Sequence, residues 1–170
     1  MAIVDGKTIL RMVIDAFGLK RDSTEDRLRL QKTIYLLEIH GLQLGYGFSW
    51  YKYGPYSQDL VYDAYTVLSN EKDTYDVKVS GLQWSDNTEE RFAEFRTICG
   101  GILNDASELE LAASVDFVRQ TWCRDRPDEE VVKEFLKRKT RYWDGREIED
   151  RDIKQALDTV RHLRKELCPN

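Results

Sequence analysis

The chain has 170 residues and a mass of 20.0 kDa, the size of one domain with a single core, and its 41% hydrophobic and 34% charged residues with three prolines exclude a disordered or low-complexity protein. A net charge of −5 works against long-range attraction to nucleic acid or an anionic membrane. No apolar run approaches the roughly 20 residues that cross a bilayer, and Met1-Ala2-Ile3-Val4-Asp5-Gly6 lacks the basic flank and apolar stretch of a signal peptide, so a cytoplasmic chain of one globular domain, 1–170, is expected.

In chain order, Ile9, Leu10, Val13, Ile14, Ala16 and Phe17 recur at helical spacing over residues 6–18 and end at Gly18, which predicts a first helix. Ser23-Thr24-Glu25-Asp26 is a capping-box pattern that opens a second helix with Leu30, Ile34 and Leu37 on its stripe. That helix is expected to close near His40, with Gly41 left-handed and Leu42 folded back on Leu37 as in a Schellman turn. From Gly45 the pattern turns to crowded aromatics, Phe48-Ser49-Trp50-Tyr51-Lys52-Tyr53, which predicts a short strand stopped by Gly54-Pro55. Ser57 then caps a third helix presenting Leu60, Val61, Ala64, Val67 and Leu68. Tyr75, Val77 and Val79 alternate with polar residues ahead of Ser80-Gly81, Leu82 and Trp84, and predict a second strand or hairpin that ends the first half, 1–85.

Residues 86–170 are helical in pattern. Phe92, Phe95, Ile98 and Ile102 form one stripe. Leu111, Val115, Val118 and Trp122 form another, entered through an expected capping box Ser107-Glu108-Leu109-Glu110. Pro127-Asp128 begins a helix with Val131, Val132, Phe135 and Leu136, and a last helix from about Glu147 carries Ile153, Leu157, Val160, Leu163 or Arg164, and Leu167. The fold class that follows is mainly α: about seven helices with a small antiparallel β element, the N-terminal half winged-helix-like.

Side-chain chemistry points away from a reaction. His40 and His162 stand alone in their segments, so no metal site is spelled out, and no cofactor is called for. Cys99, Cys123 and Cys168 are odd in number and widely spaced, which suits reduced thiols, and two of them fall on apolar helix faces. There is no Gly-x-Ser-x-Gly elbow or Walker loop, Gly45-Tyr46-Gly47 reads as a turn, and the carboxylates lie on solvated helices without an isolated pair. The chain is therefore read as no enzyme and with no catalytic residue.

Two clusters remain. Lys133, Lys137, Arg138, Lys139 and Arg141 serve either as cations complementing a helix C-terminus, the favoured reading, or as a phosphate-contacting stripe with Tyr142 and Trp143 stacking on bases. Trp50, Tyr51, Lys52, Tyr53, Pro55 and Tyr56 form a rigid aromatic corner, either a surface that anchors a partner or a place where Trp50 and Tyr51 fill the core and Lys52 points outward.

The string Leu30-Gln31-Lys32-Thr33-Ile34-Tyr35-Leu36-Leu37, followed by Tyr51-Lys52-Tyr53-Gly54-Pro55-Tyr56-Ser57 and a helix, resembles the YwgA-like bacterial proteins. More distantly it is similar to the Panacea domain of SocA-type antitoxins, with a weaker echo in Leu109-Glu110-Leu111-Ala112-Ala113-Ser114-Val115 and near Ala156-Leu157. The second half does not follow the Panacea pattern. The resemblance implies a helical fold with a small β element and neutralisation of a toxin by direct protein contact, in a toxin–antitoxin or phage-defence locus. The expected function is thus a protein-binding or regulatory module whose partner is a protein, a toxin or nuclease, met by the aromatic corner. The alternative is a winged-helix nucleic-acid binder with its wing at Val77 to Trp84 and contacts from Gln31, Lys32, Lys52 and the run Lys137, Arg138, Lys139 and Arg141.

Overall fold

Helix α1 (Gly6–Phe17) begins where the Asp5 carboxylate accepts the Thr8 backbone N–H at 2.9 Å, and it ends at Gly18, left-handed with φ 60°. The computed structural model describes residues 3–165, and among these it contains eight α-helices and one two-stranded antiparallel sheet, a mainly α fold. Helix α2 (Thr24–Ile39) starts on the capping box Ser23–Asp26. It closes as predicted: the Gly41 N–H donates to Glu38 O and the Leu42 N–H to Leu37 O, both at 3.0 Å.

The aromatic stretch folds differently from the single strand expected over Phe48 to Tyr53. Strand β1 (Ser49–Tyr51) turns at Lys52-Tyr53 and pairs with β2 (Gly54–Tyr56), so that Gly54-Pro55 belongs to the second strand of a hairpin. Pro55 faces Trp50 in the ladder. A proline lacks the N–H a ladder uses, so a three-residue strand is about as far as this pairing extends. Gly54 has φ 87°, and a Cβ there would drive into Ser114 Oγ of a later helix, so both the backbone conformation and the close approach require glycine.

Helix α3 (Gln58–Tyr65) is capped by Ser57 and runs through a π-helical turn at Thr66–Asn70 into α4 (Lys72–Val79). Here the predicted strand is overturned. Tyr75 is buried, Val79 half-buried and Val77 75% exposed, so the apolar side chains follow i, i+4 spacing on a helix and not the i, i+2 spacing of a strand. Trp84 lies in the loop beyond. No hairpin occupies the place of the expected wing, and the observed hairpin sits between α2 and α3.

Helix α5 (Asp86–Cys99) buries Phe92, Phe95 and Cys99 and ends in a 3-10 turn at Gly100–Asn104. Helix α6 (Ala106–Trp122) is the axis of the fold: Leu109 to Asp116 are buried without a break. One side of α6, with Leu109, Ala112 and Ala113, packs into a core shared with α1 to α5, and another, with Leu111, Val115 and Val118, into a core shared with α7 (Asp128–Arg138) and α8 (Asp150–Arg164). A helix apolar on all sides belongs in the interior. The cap of α6 is Asp105, whose carboxylate accepts the Ser107 and Glu108 N–H groups, and not the Ser107-to-Glu110 box predicted. Cys99 and Cys123 are buried free thiols, and burial pushes Cys99 up to about 12. Leu167 and Cys168 lie outside the described residues.

Candidate functional site

The two strings that carry the family resemblance meet in space. Gln31 of α2 lies flat against the start of α3: its Nε2 donates to Ser57 O at 2.8 Å and its Oε1 accepts the Ser57 N–H at 3.0 Å. The next residue, Lys32, donates from Nζ to Pro55 O at 2.6 Å. The buried carbonyls and amide of the corner between β2 and α3, which a sheet of two strands cannot satisfy, are thus paired by two α2 side chains. A Leu-Gln-Lys helix and a Tyr-Gly-Pro-Tyr-Ser corner are one structural unit.

Lys32 is 1% exposed, and burial lowers its ammonium from 10.5 to about 7 although Glu110 draws it upward. In the unfolded chain the same amine holds its proton until about 10. Between these values the unfolded state binds more protons, so stability rises with pH, and the burden of a buried charge is fully present below about 7. Stability in urea should therefore climb by about 2 kcal/mol between pH 7 and 9. Lys32→Met should flatten that slope; an unchanged slope in the variant would place its origin elsewhere.

Glu110 completes the buried cluster. It is 0% exposed, pairs with Lys139 Nζ at 2.5 Å and accepts the Trp143 N–H at 2.9 Å. Burial raises its carboxyl, opposed by Lys139. A second buried carboxylate, Asp116, accepts two bonds from Arg164 at 2.7 Å and one from Tyr35 Oη at 2.6 Å. The expectation of carboxylates confined to solvated helices is wrong at these two positions. Both interrupt the apolar run Leu109 to Val118, and an acid inside a helix apolar all round was the signal that could have found them.

The hairpin divides the predicted corner residues by the alternation of β-strands. Trp50 turns inward onto Phe117 and Trp122, each with ring centroids 5.9 Å away, and Pro55 is buried. Tyr51, 57% exposed, and Lys52, Tyr53 and Tyr56 line the opposite side, with the Tyr51 and Tyr56 rings 5.0 Å apart. They form one wall of a cleft of about 320 Å³ whose other walls are the first half of α2 and the Val61–Ala64 side of α3.

Charge in this cleft has one sign. Arg21, Arg27, Lys32 and Lys52 border it, and among the described residues no carboxylate, histidine or cysteine does. Arg21 lies 4.9 Å over the Tyr65 ring and donates to Ser69 Oγ, and Arg27 donates to Arg21 O. The nearby acid Asp26 is engaged in the α2 capping box.

The predicted nucleic-acid contacts do not assemble. Gln31 and Lys32 are buried, the Lys139 side chain is 7% exposed and bound to Glu110, Lys137 and Arg138 pair with Glu134, and Arg141 pairs with Glu147. Arg138 also lies 3.8 Å over Trp122, and Tyr142 is buried. Among the described residues no three His, Cys, Asp or Glu side chains gather as a metal site would need, and no helix is long and apolar enough to cross a membrane. Comparison of the chain with family models, with curated proteins and with solved structures found no significant match to any of them.

Proposed function

We propose that the chain is a cytoplasmic protein-binding regulatory module, and that its role is to neutralise a toxin or nuclease partner by direct contact, as the resemblance to antitoxin domains implies. The observation that carries the binding reading is the cleft between α2, the hairpin and α3: an apolar hollow bordered by three tyrosines and by Arg21, Arg27 and Lys52, with no carboxylate of the described residues among its lining, on a protein of net charge −5. Tyrosines fixed on a rigid turn give contact area at little entropic cost, and cations at a rim select and steer a partner. Lys32 holds the second strand of the hairpin and Gln31 holds the Ser57 that follows it, both from within the core.

A photo-reactive benzoylphenylalanine in place of Tyr51, expressed in the native host, tests this directly. One dominant protein adduct should form on irradiation and be missing when the probe replaces Val77, which is exposed on α4 away from the cleft. No adduct, or the same adducts from both positions, would sink the reading. The identity of the adduct decides the role: a toxin or nuclease supports neutralisation.

A further inference from the structure

From the chemistry of the cleft we infer the class of partner segment it takes: an acidic stretch in which one aromatic or long aliphatic side chain is flanked by carboxylates. This rests on the binding-module reading and specifies its ligand.

The floor selects an apolar anchor. Leu28, Leu30, Val61 and Ala64 supply the lining beneath the tyrosines, and the volume of about 320 Å³ is at the small end of ligand pockets, which run from roughly 300 to 1,000 Å³. The polar groups that reach the floor are already engaged: both ends of the Gln31 amide bind Ser57, and Lys32 Nζ binds Pro55 O. Thr24 Oγ1 accepts from Arg27. Little remains to read the edges of a base or the hydroxyls of a sugar, so a nucleotide would leave its polar groups buried without partners. A hydrocarbon or aromatic side chain loses nothing there.

The rim selects acids. Arg21, Arg27 and Lys52 stand together around the mouth, and among the described residues no carboxylate borders it, whereas the basic run Lys133, Lys137, Arg138 and Arg141 is interleaved with the acids that pair it. Arginine forks bind carboxylates in pairs of parallel hydrogen bonds, and Lys52, 5.2 Å over the Tyr53 ring, sits on the side of the mouth opposite α2. Carboxylates on both sides of the anchor would meet cations on both sides of the cleft. The net charge of −5 works on average against an acidic segment at the rest of the surface, so the same charges that bind it also help to place it.

Panning a random heptapeptide library against the full chain, followed by fluorescence anisotropy with the selected peptide, provides the test. The expected consensus is one Phe, Trp, Tyr or Leu flanked by Asp or Glu, bound at least about tenfold more weakly by the R27E/K52E variant, and more weakly at high salt. Arg27 and Lys52 are exposed, so the variant should fold; should it not, the selected peptide with its acids changed to Asn and Gln gives the same comparison on the wild-type chain. A consensus without acids, no consensus, binding that survives the charge reversal, or displacement of the peptide by a thymidine oligonucleotide would each overturn the inference. If the Tyr51 probe captures one partner while panning yields no acidic consensus, the module reading stands and this specification of its ligand falls; if the probe captures none, both fall.

Discussion

Replacing Glu110 with alanine should destabilise the fold by about 3–5 kcal/mol, the usual cost of leaving a buried ion pair with one member. The carboxylate is wholly buried on α6, Lys139 reaches it from beyond the end of α7 at 2.5 Å, and Lys32 arrives from α2 with its ammonium already depressed. Lys139 and a Lys32 that is only partly protonated at pH 7 therefore share one buried anion. With Glu110 gone, Lys139 would be left 7% exposed without its counter-ion, and the Trp143 backbone N–H would lose its acceptor. Urea unfolding at pH 7 reads the loss. Glu110→Gln keeps the volume and an acceptor for Trp143 but not the charge, and should fall between wild type and alanine. The pair is no guarantee of stability by itself: Glu110→Leu with Lys139→Met should recover most of the loss, since apolar replacement of a whole buried pair is often neutral. A loss below about 1 kcal/mol in the alanine variant would show that Lys139 turns out to solvent and that the cluster is looser than its distances indicate.

That cluster also marks where sequence reading stopped. Helices whose apolar residues recur every 3.6 positions were legible: α2 buries its predicted stripe, α1 and α7 bury or half-bury theirs, α8 buries Ile153, Leu157, Val160 and Leu163, and the Ser23 box, the Gly41 turn and the Ser57 cap are where local chemistry placed them. Residues 75–79 misled because three apolar residues in alternation are too few to separate period 2 from period 3.6, and tertiary burial of Tyr75, on a helix that packs against α1 and the π-helical turn, decided the outcome. Lys52-Tyr53 gave no sign of a turn, since neither is a turn-forming residue, and the positive φ falls one place later on Gly54.

The site was half legible for a similar reason. The sequence pointed to Trp50 through Tyr56 as a corner, but which of these residues face outward depends on the hairpin register, and a second strand at Gly54–Tyr56 turns a half-buried Trp50 and a buried Pro55 toward the core. Gln31 and Lys32 look like surface groups in a string of letters because long polar side chains usually are. Their burial is decided 23 and 26 residues away, by main-chain carbonyls of the corner that need donors. Arg21 and Arg27 drew no attention at all, because a cation acquires meaning in the cleft only from the absence of acids around it in space.

The second large effect is expected at Asp116. Asp116→Ala should cost about 3 kcal/mol, toward the lower end of the range for a broken buried pair because the Arg164 side chain is 25% exposed and can turn to water. The carboxylate joins three helices: Arg164 of α8 grips it with two bonds at 2.7 Å, and Tyr35 of α2 donates to it at 2.6 Å. Tyr35 has no such escape. It is buried with its ring edge-on to Phe48 at 5.1 Å, and burial together with Asp116 pushes its phenol far above the usual range, so it remains a neutral donor at every working pH. Tyr35→Phe removes that donor while leaving the carboxylate held by Arg164, and should cost about 1.5–3 kcal/mol, the worth of a hydrogen bond to a charged group. In the double variant neither partner is orphaned by the other, so the two losses should sum to less than their separate values by about 1 kcal/mol or more. Chemical denaturation of the four proteins in the cycle checks it. Strict additivity would mean that Tyr35 and Asp116 do not depend on one another and that α2 is held to α6 by apolar packing alone, in which case the rigidity of the hairpin wall would rest on Gln31 and Lys32 without support from the far end of the helix.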